Sequence, residues 1–511
     1  MVKIFGGSDF SAELIRVTLR PPAVLQRSLY RSALAKADFG TFAGHPVRRG
    51  AAQPRRDFDR TTPRLDDDAV SERLPLAGKP RFMNTLQFGP LADDFSWAVG
   101  IENTFIPQTR SGHRRLDEYE LMDHYGHWRA DVDRVAQLGV KMLRYGIPWY
   151  RVNPAPGVFD WSWTDEVLEY LVVEKGLTPI IDLMHYGTPL WLDNHFVNAS
   201  YPRRVAEYAS AFAERYKSLV RHYTPLNEPA VTAAYCGRDG RWPPYLRGDD
   251  GFVKVLLALM SGMSQTAEAL RAVRSDTVLV HVEDVGIEST SSSDLVDVVA
   301  ASQARRLLPL DLACGLVTPD HSSYDWLLSH GATEFELHQM TTRGPRWDVL
   351  GVNFYPWSNR RLVHGRNGSV AVRRDPARAG TALATLLRLV YDRYRLPLMV
   401  TETSSTGDHD ERALWMAETL SAVRQVRAES IPVLGYTWFP MFTMIEWKYR
   451  WSRKGLEDHL LHLGLWDVIP RDGRLDRDPT PLIDLYRRYI GDSAGSVGEV
   501  LATPYPARPA A

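Results

Sequence analysis

Two glutamates at the ends of apolar runs are the residues here whose type and placement could do chemistry. Glu228 closes Tyr-Thr-Pro-Leu-Asn-Glu-Pro (223–229), and Glu402 stands near the end of Leu-Met-Val-Thr-Glu-Thr (398–403). Cleaving a glycosidic bond asks for such a pair: one carboxyl holds a proton for the leaving oxygen, while the other, ionised, attacks or supports an oxocarbenium-like centre. One residue type must then occupy two different environments.

The elements that would position the pair follow from the hydropathy pattern. From Phe95 onward, short runs that are apolar throughout alternate with longer amphipathic stretches. The runs Phe95–Glu102, Lys141–Ile147, Thr178–Tyr186, Tyr223–Pro229, Thr277–Asp284, Trp347–Tyr355, Leu396–Thr403 and Val433–Pro440 predict eight strands. Between and after them, helices are predicted over Asp123–Leu138, Thr164–Lys175, Pro202–Arg221, Phe252–Arg274, Leu295–Leu308, Pro376–Arg395, Asp408–Ala428 and Pro479–Ile490. Strands apolar on both faces require a parallel sheet covered by helices. Eight such units in one region predict a single catalytic (β/α)8 TIM barrel spanning 86–491. Neither Gly-x-Gly-x-x-Gly after the first strand nor a phosphate-cradling Gly-x-x-x-x-Gly-Lys is present, which removes the support for a nucleotide-binding sheet.

A barrel gathers chemistry at the C-terminal ends of its strands. Polar residues collect there: Glu102, Arg144, His185 with Tyr186, Asn227 with Glu228, Asn353 with Tyr355, and Glu402, with Trp438 in the eighth run and Glu446 and Trp447 soon after. One charged group at a strand end is ordinarily a capped or salt-bridged structural residue. Recurrence on one rim weakens that explanation, because each buried charge needs a partner.

Composition bounds the rest. At 511 residues, 44% hydrophobic and 24% charged, the chain has ample material for a globular core. A net charge of −1 gives no reason to expect nucleic acid or an anionic membrane as partner, and no run approaches a membrane span. Two cysteines, Cys236 and Cys314, imply no disulfide framework, and the start lacks a secretory apolar stretch, so a cytoplasmic location is expected. Residues 1–85, rich in Arg, Pro and Ala without sustained periodicity, read as a mostly disordered extension, with a short helix near 23–37; residues 492–511 read as a tail. His124 and His127 share a helical spacing but lack a third convergent ligand, so they read as a solvated face; no metal or cofactor is expected.

Residues 88–490 resemble a family 1 glycoside hydrolase, the β-glucosidase-like retaining glycosidases. Thr-Pro-Leu-Asn-Glu-Pro is similar to the family's acid/base motif and Val400-Thr401-Glu402-Thr403 to its nucleophile motif. Leu143 to Trp149, His185, Leu350 to Tyr355 and Glu446-Trp447 match further segments in order. The resemblance implies Glu402 as nucleophile, Glu228 as acid/base, Tyr355 bonded to the nucleophile, Arg144 beside it and Asn227 near the sugar 2-hydroxyl. It implies a β-glycoside substrate recognised by Glu102, His185, Tyr186, Asn353, Trp438, Glu446 and Trp447. Glu446 opposes a 6-phosphorylated sugar, although Lys448 and Arg450 stand nearby.

The sequence departs from the pattern at four places. The first strand lacks the glutamine that usually binds two sugar hydroxyls, for which Glu102 would substitute; Tyr186 stands where a tryptophan is usual, Thr403-Ser404-Ser405 replaces Asn-Gly, and Trp438 lies one residue farther from Glu446 than expected. These mark a divergent branch. A same-clan enzyme of other specificity (6-phospho-β-glycosidase, transglycosylase or endo-glycanase) and an inactive carbohydrate-binding barrel use many of the same residues and stay open as alternatives. Oligomeric state is not legible.

Overall fold

The computed structural model describes residues 95–492 except 366–368 and 376–377. The expected extension at 1–85, its short helix and the tail beyond 492 lie outside the described residues.

Eight parallel strands close into a barrel. They are β1 (Ser96–Gly100), β2 (Met142–Gly146), β3 (Thr178–Asp182), β4 (His222–Thr224), β5 (Val278–Asp284), β6 (Val349–Asn353), β7 (Leu398–Thr403) and β8 (Val433–Trp438). Each pairs with its chain neighbours, and β8 returns to β1 with Ser96 opposite Gly435 and Val99 opposite Trp438. Every strand falls inside its predicted run or within a residue of it. β4 is the shortest, because Pro225 supplies no ladder donor. The chain rejoins the sheet at Asn227, bridged to Val282. Glu228 N then donates to the Val282 carbonyl at 3.0 Å.

Side chains of alternate residues fill the barrel: Ala98, Met142, Ile180, Val278, Val280, Val282, Val349 and Met399 form an inner cluster separate from the larger helix–sheet core. The outer layer is α1 (His124–Gln137), α2 (Ser162–Glu169, continued by a wider turn over Tyr170–Glu174), α3 (Tyr201–Tyr216), α4 (Gly248–Val273), α5 (Val296–Ala313), α6 (Ala379–Tyr394), α7 (His409–Ala428) and α8 (Leu482–Asp492). In α3, Val205, Tyr208, Ala209, Phe212, Ala213 and Tyr216 are buried, a stripe at three- and four-residue spacing turned to the sheet. Truncating Phe212 to alanine would cost about 3–5 kcal/mol, transfer and cavity combined.

Smaller ribbons decorate the barrel. Ile287–Ser289, Asn359–His364 and Val370–Arg374 form a three-stranded sheet, and Trp466–Arg471 pairs with Arg474–Pro479. Arg477 in the latter reaches Asp131 of α1 at 3.0 Å, both side chains being buried. His124, expected on a solvated face, is instead buried, with Nδ1 2.9 Å from Asp131 and Nε2 2.8 Å from the Tyr145 hydroxyl. Its one-sided reading failed because the helix turns this residue inward to satisfy Asp131. Among the described residues no helix is long and apolar enough to cross a membrane and no group of three or more metal-ligating side chains converges. Both cysteines are free.

Candidate active site

The strand ends bring most of the singled-out residues together. At β4, Glu228 adopts the left-handed region, φ 45° and ψ 69°, and Pro229 starts the following helical turn. Such a conformation is uncommon for a residue with a side chain. Here the bonds from Glu228 N and to the Glu228 carbonyl hold it. Its carboxyl is buried and receives only neutral donors: Asn353 Nδ2 at 2.7 Å, and the Tyr186 hydroxyl. Burial, then the charge of Glu402, then that of Asp284, push the Glu228 carboxyl well above the usual carboxylate range.

Glu402, at the end of β7, has a different set of partners. Arg144 Nη1 donates to Oε1, and the Tyr355 hydroxyl donates to Oε2 at 2.7 Å. Arg144 lies wholly inside the protein, where burial alone would disfavour its charge; Asp182 and Glu402 override that and raise its basicity. Its Nη2 donates to Asp182 Oδ2 and to Asn227 Oδ1, both at 2.6 Å. Asp182, buried yet held ionised below the usual range by Arg144 and His185, was not singled out from the sequence. The Asp-x-x-His spacing to His185 was the available signal.

His185 Nδ1 lies 2.9 Å from Asp182 Oδ2, and its Nε2 lies 2.9 Å from Asn227 Nδ2. An amide nitrogen can only donate, so the imidazole is assigned the Nδ1–H tautomer with Nε2 accepting. The second hydrogen of Asn227 Nδ2 goes to the Tyr186 hydroxyl at 2.8 Å. The Asn227 amide is therefore engaged at each end, and a sugar hydroxyl must compete for it. Tyr186, with φ 78°, reaches between Asn227 and Glu228 because its phenol carries a hydroxyl at the ring tip. Asn353 is oriented by Thr401 Oγ1, which donates to its Oδ1 at 2.7 Å and leaves Nδ2 for Glu228.

Glu102, at the end of β1, is buried and accepts from Thr104 N at 3.1 Å and Thr104 Oγ1 at 2.7 Å. Burial raises its pKa, and Glu402 adds to the rise while His185 opposes it. Beside it lies Glu118, a second carboxyl not anticipated from sequence. Burial and the neighbouring Glu102 push Glu118 well above the carboxylate range. Glu118 accepts from Ile445 N at 3.1 Å and so steadies the chain just before Glu446. Glu446 is itself buried, 2.7 Å from Lys448 Nζ, with His459 behind it. Arg450 is turned away, donating to the carbonyls of Ile106, Gln108 and Arg114. Trp447 packs against Tyr186, Tyr235 and Trp242 with ring centroids 5.4, 5.6 and 5.0 Å away.

Trp438 is not brought to this cluster. It is fully buried in the larger core and donates its indole N–H to the Leu463 carbonyl at 3.1 Å. The next residue, Phe439, takes the inward position, since neighbours on a strand face opposite ways. Its ring lies parallel to His185 at 6.4 Å, with the Arg144 guanidinium 5.3 Å from its centroid. Gly100 makes room: a Cβ there would run into the Phe439 ring. The one-residue excess in the Trp438–Glu446 spacing was the sequence sign of this exchange.

The barrel agrees with comparison to known proteins. The model of glycosyl hydrolase family 1 matches residues 101–355. The chain belongs to glycosyl hydrolase family 1. This family 1 glycosidase is 24% identical over 390 residues to Beta-glucosidase 1B of Phanerodontia chrysosporium, a match covering 64% of the chain and 70% of that protein. Beta-glucosidase A of Thermotoga maritima is 22% identical over 361 residues, 65% of the chain and 80% of the relative. The solved β-glucosidase from Thermotoga maritima in complex with glucoimidazole superposes with a TM-score of 0.68 at 18% identity, covering 78% of this chain and 98% of that one. That likeness establishes the shared (β/α)8 fold. The protein is a glycoside hydrolase of β-glucosidase-like type, and its substrate is a carbohydrate.

Proposed function

We propose that this family 1 enzyme is a retaining exo-β-glycosidase acting on β-glucosides or related β-hexosides through a covalent glycosyl-enzyme. The observation that carries the reading is the asymmetry between the two glutamates. A cation and a phenol hold the Glu402 carboxylate, whereas Glu228 meets only neutral donors and is driven toward its protonated form.

In the first step a Glu402 oxygen attacks the anomeric carbon, the bond to the leaving oxygen breaks, and Glu228 gives that oxygen its proton. Esterification removes the Glu402 charge, the second-largest cause raising Glu228, so the proton affinity of Glu228 falls as it turns from acid to base. A water then attacks the same carbon, loses a proton to Glu228, and the bond to Glu402 breaks. Arg144, fixed by Asp182 and Asn227, and Tyr355 keep the nucleophile oriented. Asn353 and Tyr186 position the acid. Glu102, His185, Glu446 and Trp447 meet the glycone. The buried Glu446 favours an unphosphorylated sugar, and the orientation of Arg450 toward backbone carbonyls removes one candidate phosphate partner.

A panel of aryl β-glycosides tests the reading. Glu228→Ala should slow turnover roughly a hundredfold to ten-thousandfold, and Glu402→Ala should abolish it, with azide rescue giving the inverted α-glycosyl azide. Equal turnover by the parent and Glu402→Ala, or a rescued product of retained configuration, would sink the mechanism.

A further inference from the structure

The ribbon after β6 has an unusual arrangement of charge. Asn359–His364 pairs antiparallel with Val370–Arg374, and the register sets Arg360 directly opposite Arg374 and Arg361 opposite Arg373. Like charges directly opposite each other disfavour pairing. Two such pairs in one ribbon need compensation.

On the Arg360 side that compensation is incomplete among the described residues. The parallel strand Ile287–Ser289 sets Glu288 beside Arg360, yet Glu288 is buried with an Oε2 that has no hydrogen-bond partner. Arg306 enters the same region from α5, passing over Gly286, where a Cβ would collide with its guanidinium and with the Ser358 carbonyl. Its Nη2 lies 4.0 Å from Asp284 Oδ1, and its buried Nε has no partner. Three guanidinium groups thus meet two carboxylates. Arg306 first, and burial second, push the Arg360 guanidinium down to about 10 despite Asp284 and Glu288.

The cluster adjoins the reaction centre along two routes. Arg360 Nε donates to the Trp357 carbonyl at 3.3 Å, and Trp357 stacks on Tyr355 at 4.6 Å, whose hydroxyl holds Glu402. Arg374, exposed, lies near Tyr235, and Tyr235 packs on Trp242 and Trp447, which both pack on the Tyr186 that bonds Glu228. A leaving group departs past the residue that protonates it, and Asp284, which faces Arg306, is near enough to act on that residue.

We propose that Arg306, Arg360 and Arg374 form a leaving-group subsite for an anionic aglycone, an alcohol or phenol bearing a carboxylate, sulfate or phosphate. The proposal rests on Glu228 being the acid/base.

Paired substrates of equal shape test it. The parent's kcat/KM for a p-carboxyphenyl β-glucoside should exceed that for the p-carbamoylphenyl β-glucoside by roughly tenfold or more, the size expected of a charge-assisted hydrogen bond. Added salt should shrink the ratio. p-Sulfophenyl and p-phosphophenyl glucosides identify which oxyanion is preferred. In Arg360→Gln and Arg374→Gln the ratio should fall toward one, and the exposed Arg374 keeps the test available if replacing Arg360 impairs folding. Calorimetry on Glu402→Gln should show the same ratio in Kd without turnover. A parent ratio of one or below in both kinetics and binding overturns the subsite, as does a ratio unmoved by Arg374→Gln and Arg360→Gln. Hydrolysis absent from both substrates, with the Kd ratio intact, would instead indict the hydrolytic reading and leave the subsite standing.

Discussion

Asn353 and Tyr186 both donate to Glu228, and a donor stabilises the ionised form of the carboxyl that accepts from it. Their bonds hold Glu228 below where burial and Glu402 alone would put it. Glu228 acts protonated in the proposed first step, so its ionisation sets the alkaline limb of kcat/KM, displaced upward from the ordinary carboxylate range. Tyr186→Phe and Asn353→Ala each remove one of these bonds. Both limbs should move to still higher pH while the maximal rate falls, most clearly in Asn353→Ala, where positioning is lost too. A limb unmoved in Tyr186→Phe would show that the hydroxyl serves Asn227 rather than Glu228. Much of this site could be read from residues with a fixed backbone context: Asn227-Glu228-Pro229 and Thr401-Glu402 carry their proposed roles in local sequence. Glu118 could not, because it owes its place to Ile445, distant in the chain; Asp182 and Phe439 left only slight marks, the spacing to His185 and the excess before Glu446, since Arg144 and the gap left by Gly100 place them.

The loop leaving β7 must hold Glu402 at its upstream end, and α7 anchors the downstream end through a reciprocal cap. Asp408 Oδ1 accepts from Glu411 N at 2.9 Å while Glu411 Oε2 accepts from Asp408 N at 3.0 Å. Two otherwise unpaired helix donors are satisfied at once. Asp408→Ala should cost about 1 kcal/mol, within the usual range for losing an N-cap. In a chain of this length that is a Tm decrease of roughly 1 °C. A double-mutant cycle with Glu411→Ala should show the two losses to be non-additive; strict additivity would mean the bonds act independently. Barrel strands and long helices were legible because continuous apolar runs and wide apolar stripes persist over many residues. The ribbons Asn359–His364 and Val370–Arg374 were not, since arginines interrupt any apolar alternation and pairing is supplied by the fold. The sequence expectation over 164–175 likewise missed the change from α2 to a wider turn at Tyr170, a backbone adjustment with no compositional mark.

Taken as a whole, the molecule buries titratable groups whose linkages act in opposite directions over one range of pH. His222 in β4 and His281 in β5 have no hydrogen-bond partner at either ring nitrogen among the described residues. Burial pushes their pKa values down to about 4 and about 3. In the unfolded chain each takes up its proton near pH 6.5, so as pH falls below that value the unfolded state binds more protons and stability drops until the folded pKa is reached. Buried Glu118 and Glu283 behave oppositely: burial raises both well above the ordinary value, so the folded state holds the extra protons and acidification through that range is stabilising. A melting profile of the parent alone mixes these contributions. The difference between the parent and His281→Leu isolates one of them, since leucine suits a site against Trp347 whose ring lies 4.8 Å from the imidazole. Between pH 6.5 and 4 the parent should lose stability relative to the variant by roughly 1.4 kcal/mol per pH unit. Above pH 7.5 the difference should be flat, set only by packing. A pH-independent difference across the whole range would mean that His281 is reached by water and protonates in the folded barrel as readily as in the unfolded chain.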